Sequence, residues 1–160
     1  MKMPKIFPVA ALYFAVLLSS ASCRTQQNIN NEYAFYEFPT QFICSEPTGE
    51  ITIKCWGNGN STNAAVENAL KNGVETILFK GITTNGNPIP PLVTSVNNDG
   101  IRMYFDKFFQ NGKYLNYIKE NKGTDRVQAK SSNFRQIGIV ANVDAESLKQ
   151  LLIKDKIIPK

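Results

Sequence analysis

The sequence predicts an α+β domain: a mainly antiparallel sheet of four or five strands, with about three helices packed on one face. Three observations predict it. Short β-rich runs flank turn residues at 42–56 and again at 126–143. Apolar residues recur at three- and four-residue steps over 65–78, 101–109 and 148–152. The order is hairpin, helices, strands, then a last helix. That order gathers helices on one side of a meandering sheet instead of alternating them with parallel strands.

The domain is expected over 41–160. Phe42-Ile43-Cys44-Ser45 and Ile51-Thr52-Ile53-Lys54-Cys55-Trp56 flank Glu46-Pro47-Thr48-Gly49-Glu50, a hairpin pattern. With Gly49-Glu50 as a two-residue loop, Gly stands first, as a type II′ turn requires. Thr48 then faces Ile51, and Cys44 faces Cys55 on the core side. Cys44 and Cys55 are therefore candidates for a disulfide, because a hydrogen-bonded cross-strand pair has a Cα spacing of about 5.5 Å that a bridge spans. Such a bridge contributes on the order of 2–3 kcal/mol. The alternative is two buried free thiols acting as small apolar fillers.

Gly57-Asn58-Gly59-Asn60 reads as a loop, and Ser61 or Thr62 caps the next helix. Ala65, Val66, Ala69, Leu70, Ile77 and Leu78 make its buried face, and Gly81 is its C′ residue. Gly73 inside it costs up to about 1 kcal/mol relative to Ala, and close packing against a strand is one reason for a glycine there. A dinucleotide turn needs a third Gly at 62, where the chain has Thr62. Residues 83–98 are irregular, with Pro88, Pro90 and Pro91 removing backbone donors. Asp99 to Asn111 is a helix with Ile101, Phe105, Phe108 and Phe109 on one face, ended by Gly112. Tyr114 to Lys119 starts a strand or a short helix. Arg126 to Lys130 alternates as a half-exposed strand, and Ser131-Ser132-Asn133 turns the chain. Phe134 to Val143 is the strongest strand, with Ile137, Ile139 and Ala141 on one face and Val140 on the other. Asp144 caps a last helix carrying Leu148, Leu151 and Leu152.

Composition bounds the chemistry. The chain has 160 residues, 42% of them hydrophobic, 3 Cys and 0 His. That length suits one domain with a tail. Without His there is no Ser-His-Asp triad, no Cys-His dyad and no His-ligated zinc. Cys44 and Cys55 are not C-x-x-C spaced and lack a His to activate a thiolate, so catalysis by them is not expected. No metal and no cofactor is expected from these patterns.

The first 22 residues differ in composition. Lys2 and Lys5 precede a charge-free apolar run of 13 residues, Ile6 to Leu18, followed by Ser19, Ser20, Ala21 and Ser22. That is the order of a secretory signal peptide, and the run is shorter than the roughly 20 residues of a spanning helix. Ser20-Ala21-Ser22-Cys23 resembles the lipobox of bacterial lipoproteins, with Ser20 where Leu is usual. The resemblance implies cleavage before Cys23 and lipidation (diacylglyceryl and palmitate-type chains) at Cys23. At about 0.8 kcal/mol per buried CH₂, several acyl chains anchor a protein durably. Arg24 follows the Cys, and Arg24 to Asn28 holds no acidic residue. Within that family this implies the periplasmic face of the outer membrane of a Gram-negative bacterium.

Removing Lys2 and Lys5 leaves 16 basic against 13 acidic side chains, a net charge of +3 on a chain that starts at +5. The basic residues are scattered, so no nucleic-acid partner is expected. Residues 23–40 are expected to be a tether followed by an aromatic strip, Tyr33-Ala34-Phe35-Tyr36-Glu37-Phe38. The strip either clamps onto the domain or is an exposed recognition surface.

Ile53-Lys54-Cys55-Trp56-Gly57, Ala65, Ala69 and Leu78-Phe79-Lys80-Gly81-Ile82 resemble small periplasmic α+β lipoproteins, among them the N-terminal module of flagellar accessory lipoproteins. Ile139-Val140-Ala141-Asn142-Val143-Asp144 with Leu148 fits their closing strand and helix. The resemblance implies a scaffold or assembly component with a protein partner in the envelope, and it carries no catalytic residues.

Three functions are expected to compete. The first is a non-catalytic, membrane-anchored binding, adaptor or assembly subunit, held at Cys23. The second is a glycan or small-ligand binder using Tyr33, Phe35, Tyr36 and Trp56 as stacking platforms. The third is a His-free carboxylate hydrolase, which needs two converging carboxyls. Glu67, Glu75, Asp106, Asp125, Asp144 and Glu146 read better as helix faces, caps and exposed strands.

Overall fold

A computed structural model describes residues 40–84, 86, 88–96, 98–130 and 135–160. The expected signal peptide, Cys23, the tether, Tyr33, Phe35, Tyr36 and the turn at Ser131-Ser132-Asn133 lie outside the described residues. The elements in chain order are β1 (Gln41–Ser45), β2 (Glu50–Gly59), α1 (Thr62–Glu75), a π-helical turn (Thr76–Lys80), α2 (Asp99–Gln110), a 3₁₀ turn (Lys113–Asn116), β3 (Ile118–Glu120), β4 (Val127–Lys130), β5 (Arg135–Asp144) and α3 (Ala145–Lys154).

The sheet is antiparallel, in the order β1-β2-β5-β3, with β4 also paired to β5. The α+β class, the five strands and the three helices agree with the sequence reading. The two longest strands, β2 and β5, pair along their whole length, from Glu50↔Asp144 to Gly59↔Arg135. β3 and β4 share the other edge of β5. β3 pairs with residues 141–143, and β4 with residues 135–138.

The period of two decides which residues are buried. Ile51, Ile53 and Cys55 of β2 and Ile137, Ile139, Ala141 and Val143 of β5 form one face. They join Ala65, Ala69 and Val74 of α1, Phe105 and Phe108 of α2 and Leu148 and Leu152 of α3 in a single core. Fully burying each large aliphatic side chain contributes about 1.5–3 kcal/mol.

α1 lies very close to β2. A Cβ on Gly57 would sit 2.2 Å from both the Ala65 carbonyl oxygen and the Ala69 nitrogen. Residues 57–59, expected as a loop, therefore continue the strand. Their glycines make room for the helix backbone, and Ala65 and Ala69 keep the facing side of α1 equally small. Gly73 follows the same logic, since a Cβ there would approach Ile118 Cδ1 to 2.8 Å and Ile53 Cδ1 to 3.1 Å. Asn72 ties the two elements together by donating from Nδ2 to the Trp56 carbonyl at 2.7 Å.

The helix does not run regularly to Lys80. After Glu75 it widens by one residue, and the Gly81 N–H bonds to the Thr76 carbonyl at 2.8 Å. The N–H groups of Leu92 and Val93 bond to the carbonyls of Ile77 and Leu78 at 3.1 and 2.8 Å. The irregular segment is thus tied to the π-helical turn. Ile82 and Ile89 close its first part by exchanging two backbone bonds of 2.9 Å.

The expected pairing of Cys44 with Cys55 is corrected. The hairpin turns over Glu46 to Gly49, with Glu46 N–H bonded to the Glu50 carbonyl and Gly49 at φ +86°. Ser45 therefore faces Ile51 and Cys44 faces Thr52, and a bulge at Ile43 shifts the register once more. Thr52 lies on the face away from the core, so Cys44 is exposed. Cys55 is buried opposite Ile139, and both thiols are free. The longer turn slides Cys44 three residues along β2, from Cys55 to Thr52, and an odd slip puts the cysteines on opposite faces.

Candidate functional site

The sheet face that the helices leave open carries the candidate site, at the end where β2 begins and β5 ends. Glu50 stands directly across from Asp144, and Thr52 across from Asn142. On the other side of β5, Lys119 of β3 also faces Asn142. Glu50, Asn142 and Lys119 each alternate with core residues, so they project from the open face. Together with Asn121 and Lys122 they line a cleft of about 440 Å³.

Two local devices shape this cleft. The first is the excursion between β3 and β4. Asn121 bonds back to the Val140 carbonyl through its N–H at 2.9 Å, and its own side-chain oxygen accepts from Gly123 N–H at 3.1 Å. Arg126 then closes the base of the excursion on Glu120, with Nε to Oε1 at 2.6 Å and Nη2 to Oε2 at 2.7 Å. This two-pronged bond holds the Glu120 carboxyl below the usual carboxylate range and raises Arg126. The second device is the start of α3. Asp144 Oδ1 accepts from Ser147 N–H at 2.9 Å, so a side chain of the cleft is also the helix cap. The Thr52 hydroxyl donates to Asn142 Oδ1 at 3.3 Å and fixes that amide across the strands.

The cleft sets two carboxyls, Glu50 and Asp144, across from each other, with Asp144 also engaged as the cap of α3. The carboxyl whose pKa burial raises is Glu75, on α1 beside Lys71. It does not line the cleft, where Glu120 is shifted the opposite way. Of these two only Glu120 lines the cleft, so the hydrolase reading gains no acid/base pair from them. The described residues hold no group of three or more His, Cys, Asp or Glu able to hold a metal ion. No helix among them is long and apolar enough to cross a membrane.

Trp56, expected as a stacking platform, is only 8% exposed. It faces Gly138 across the β2–β5 ladder, and a Cβ on that glycine would lie 2.8 Å from the ring. The ring is laid flat over the glycine, with Lys54 Nζ 5.2 Å from its centroid. At that burial the ring is not open to a stacking ligand, so Trp56 is corrected to a structural residue. Tyr33, Phe35 and Tyr36 lie outside the described residues.

The sequence does not group the cleft residues. Asp144 is legible there as a cap and Lys119 as one of many scattered charges. Only the register of β3 on β5 brings them together.

A second concavity, of about 580 Å³, lies between Leu92, Val93 and Ile101 on one side and Ile157 and Ile158 on the other. No charged side chain lines it, and these walls are a flank of the core.

Compared with protein-family models, with curated proteins and with solved structures, the chain matches none.

Proposed function

We propose that this chain is a non-catalytic envelope lipoprotein, anchored through Cys23 at the periplasmic face of the outer membrane, that acts as a binding, adaptor or assembly subunit. The polar cleft at the end of the sheet is its binding site. The observation that carries the binding role is the gathering of Glu50, Asp144, Lys119, Lys122 and Asn142 in one cleft on the sheet face opposite the helices. The anchor rests on Ser20-Ala21-Ser22-Cys23 behind an apolar run. Glycan binding through stacked aromatics is the weaker reading, because Trp56 is packed against Gly138.

The test has two parts. Cys23→Ala should move the protein from the membrane to the soluble envelope fraction and abolish fatty-acid labelling; unchanged fractionation would reject the anchor. Crosslinking from a photoreactive residue at Lys119 should capture a reproducible envelope partner or ligand that the Asp144→Asn, Lys122→Gln double variant loses. Capture that is indifferent to those substitutions would reject the cleft as the site.

A further inference from the structure

We infer that the cleft takes a small zwitterion, a molecule with an ammonium and a carboxylate a few bonds apart, as at the ends of an amino acid or a dipeptide. The inference rests on the reading of the cleft as the binding site and adds the class of ligand.

The charges of the cleft carry it. Glu50 and Asp144 are direct cross-strand partners on the open face. Like charges in such a pair, with Cβ atoms about 4.5–5.5 Å apart, destabilise a sheet unless a cation relieves them. Lys119 and Lys122 come from β3 and the excursion beyond Asn142, so positive charge lines the opposite wall. No two of these four form an ion pair within 4.0 Å. The ion pairs within 4.0 Å among the described residues are Lys71–Glu75, Arg102–Asp99 and Arg126–Glu120. Arg126 has already taken Glu120, which also feels Lys122, and the cleft's other charges are the carboxylates of Glu50 and Asp144 and the ammonium groups of Lys119 and Lys122.

Other ligand classes fit worse. A simple cation meets two lysines, and a simple anion meets two carboxylates. A neutral sugar can hydrogen-bond to these groups but carries no charge to offset any of the four. A zwitterion places its ammonium between Glu50 and Asp144 and its carboxylate toward Lys119 and Lys122. Asn142, fixed by Thr52, lies between these ends to bond to whatever joins them. A volume of about 440 Å³ is ample for a dipeptide.

The test uses the full lipidated chain in detergent micelles, titrated calorimetrically with L-alanyl-L-alanine. Three controls are its N-acetyl derivative, its C-terminal amide and glucose. The dipeptide should bind saturably and weaken with added salt. Each blocked derivative should bind at least about tenfold more weakly, the loss expected for one charge-assisted contact. Glu50→Gln should lower affinity for the dipeptide to the level of the N-acetyl derivative and leave the N-acetyl derivative itself unaffected. Lys119→Gln, at an exposed position, should do the same with respect to the amide, and it supplies the test if Glu50→Gln does not fold. No saturable dipeptide binding, equal binding of the blocked derivatives, or binding of glucose in preference would each overturn the inference. A chain that captures a partner at Lys119 but ignores the dipeptide keeps the adaptor reading and rejects the zwitterion.

Discussion

β2 and β5 present two faces made from the same twenty residues, and the faces obey different rules. On the helix side, Ile51, Ile53, Cys55, Ile137, Ile139, Ala141 and Val143 are all apolar and buried. On the open side the same strands carry Glu50, Thr52, Lys54, Trp56, Gln136, Asn142 and Asp144, with burial that changes from residue to residue. The helix side is specified by one requirement, exclusion of water, which any residue of suitable size and apolarity meets. The open side is specified by particular neighbours: Trp56 needs Gly138, Asn142 needs Thr52, and Asp144 needs the N–H of Ser147. Substitutions on the first face should therefore act through volume, and those on the second through a named contact.

The largest effect is expected on the helix side. Ile53→Ala removes a fully buried side chain beside Gly73 of α1 and should destabilise the fold by about 2–5 kcal/mol. Thr52→Ala, one residue away on the open face, should cost about 1 kcal/mol for its lost bond to Asn142. Urea unfolding of the two variants checks the contrast. Equal costs would mean that the two faces are not energetically distinct.

Next comes the contact that makes the open face specific. Gly138→Ala puts a methyl group where the Trp56 ring lies and should cost about 1–3 kcal/mol through overpacking. Trp56 is the chain's 1 tryptophan, so its fluorescence reports this site alone. Emission should shift to longer wavelength in the variant as the ring lifts into water. A stable variant with unchanged emission would show that the ring does not rest on Gly138.

The two cysteines give a chemical version of the comparison. Cys55 is buried on the helix side, and desolvation pushes its thiol up to about 12. Cys44 is exposed, facing Thr52 on the open side. In the Cys23→Ala chain, a thiol reagent at neutral pH should modify one cysteine quickly, lost in Cys44→Ser, and the second only on unfolding. A chain that offers no reactive thiol until it is reduced would restore the disulfide.

How much of this was legible follows from the same contrast. The core face was readable because apolar periodicity is a local signal. Ala65 and Ala69, the Phe105–Phe108 stripe, Leu148 and Leu152, and the caps Ser61 and Asp144 all stood out in short windows. The cysteine register was misread because it depends on the length of the Glu46–Gly49 turn, and pairing Ser45 with Ile51 slides Cys44 three residues, from Cys55 to Thr52, an odd slip that reverses its side. The strand through Gly57 and Gly59 was misread as a loop because the reason for those glycines, the backbone of α1, is a tertiary contact. The cleft could not be found at all from local signals. Glu50, Lys119 and Asp144 are separated by dozens of residues, and their meeting depends on β3 docking beside β5, where strand pairing over so short a run leaves no pattern in the sequence.

The smallest expected effect concerns pH, and it separates two carboxyls by sign. Glu120 is held below its ordinary value of 4.5, first by its hydrogen bonds to Arg126. The unfolded chain therefore binds its proton at higher pH than the folded chain does. Between the two values stability rises with pH; the contribution is complete above 4.5 and is lost as pH falls through the folded value. Glu75 is raised above 4.5 by burial, against the opposing pull of Lys71 and Lys80. Its contribution runs the other way, present below 4.5 and lost as pH rises through the folded value. Thermal midpoints across the acid range should show Glu120→Gln less stable than the parent above 4.5, with the gap closing as pH falls below it. Glu75→Gln should gain on the parent as pH rises above 4.5. The Glu120 bond lies at an exposed edge, so its effect should be modest and should shrink in high salt. A gap in the Glu120→Gln variant that stays constant across the acid range would mean that Glu120 acts through packing alone, and that the excursion bordering the cleft is not closed by the charge of Arg126.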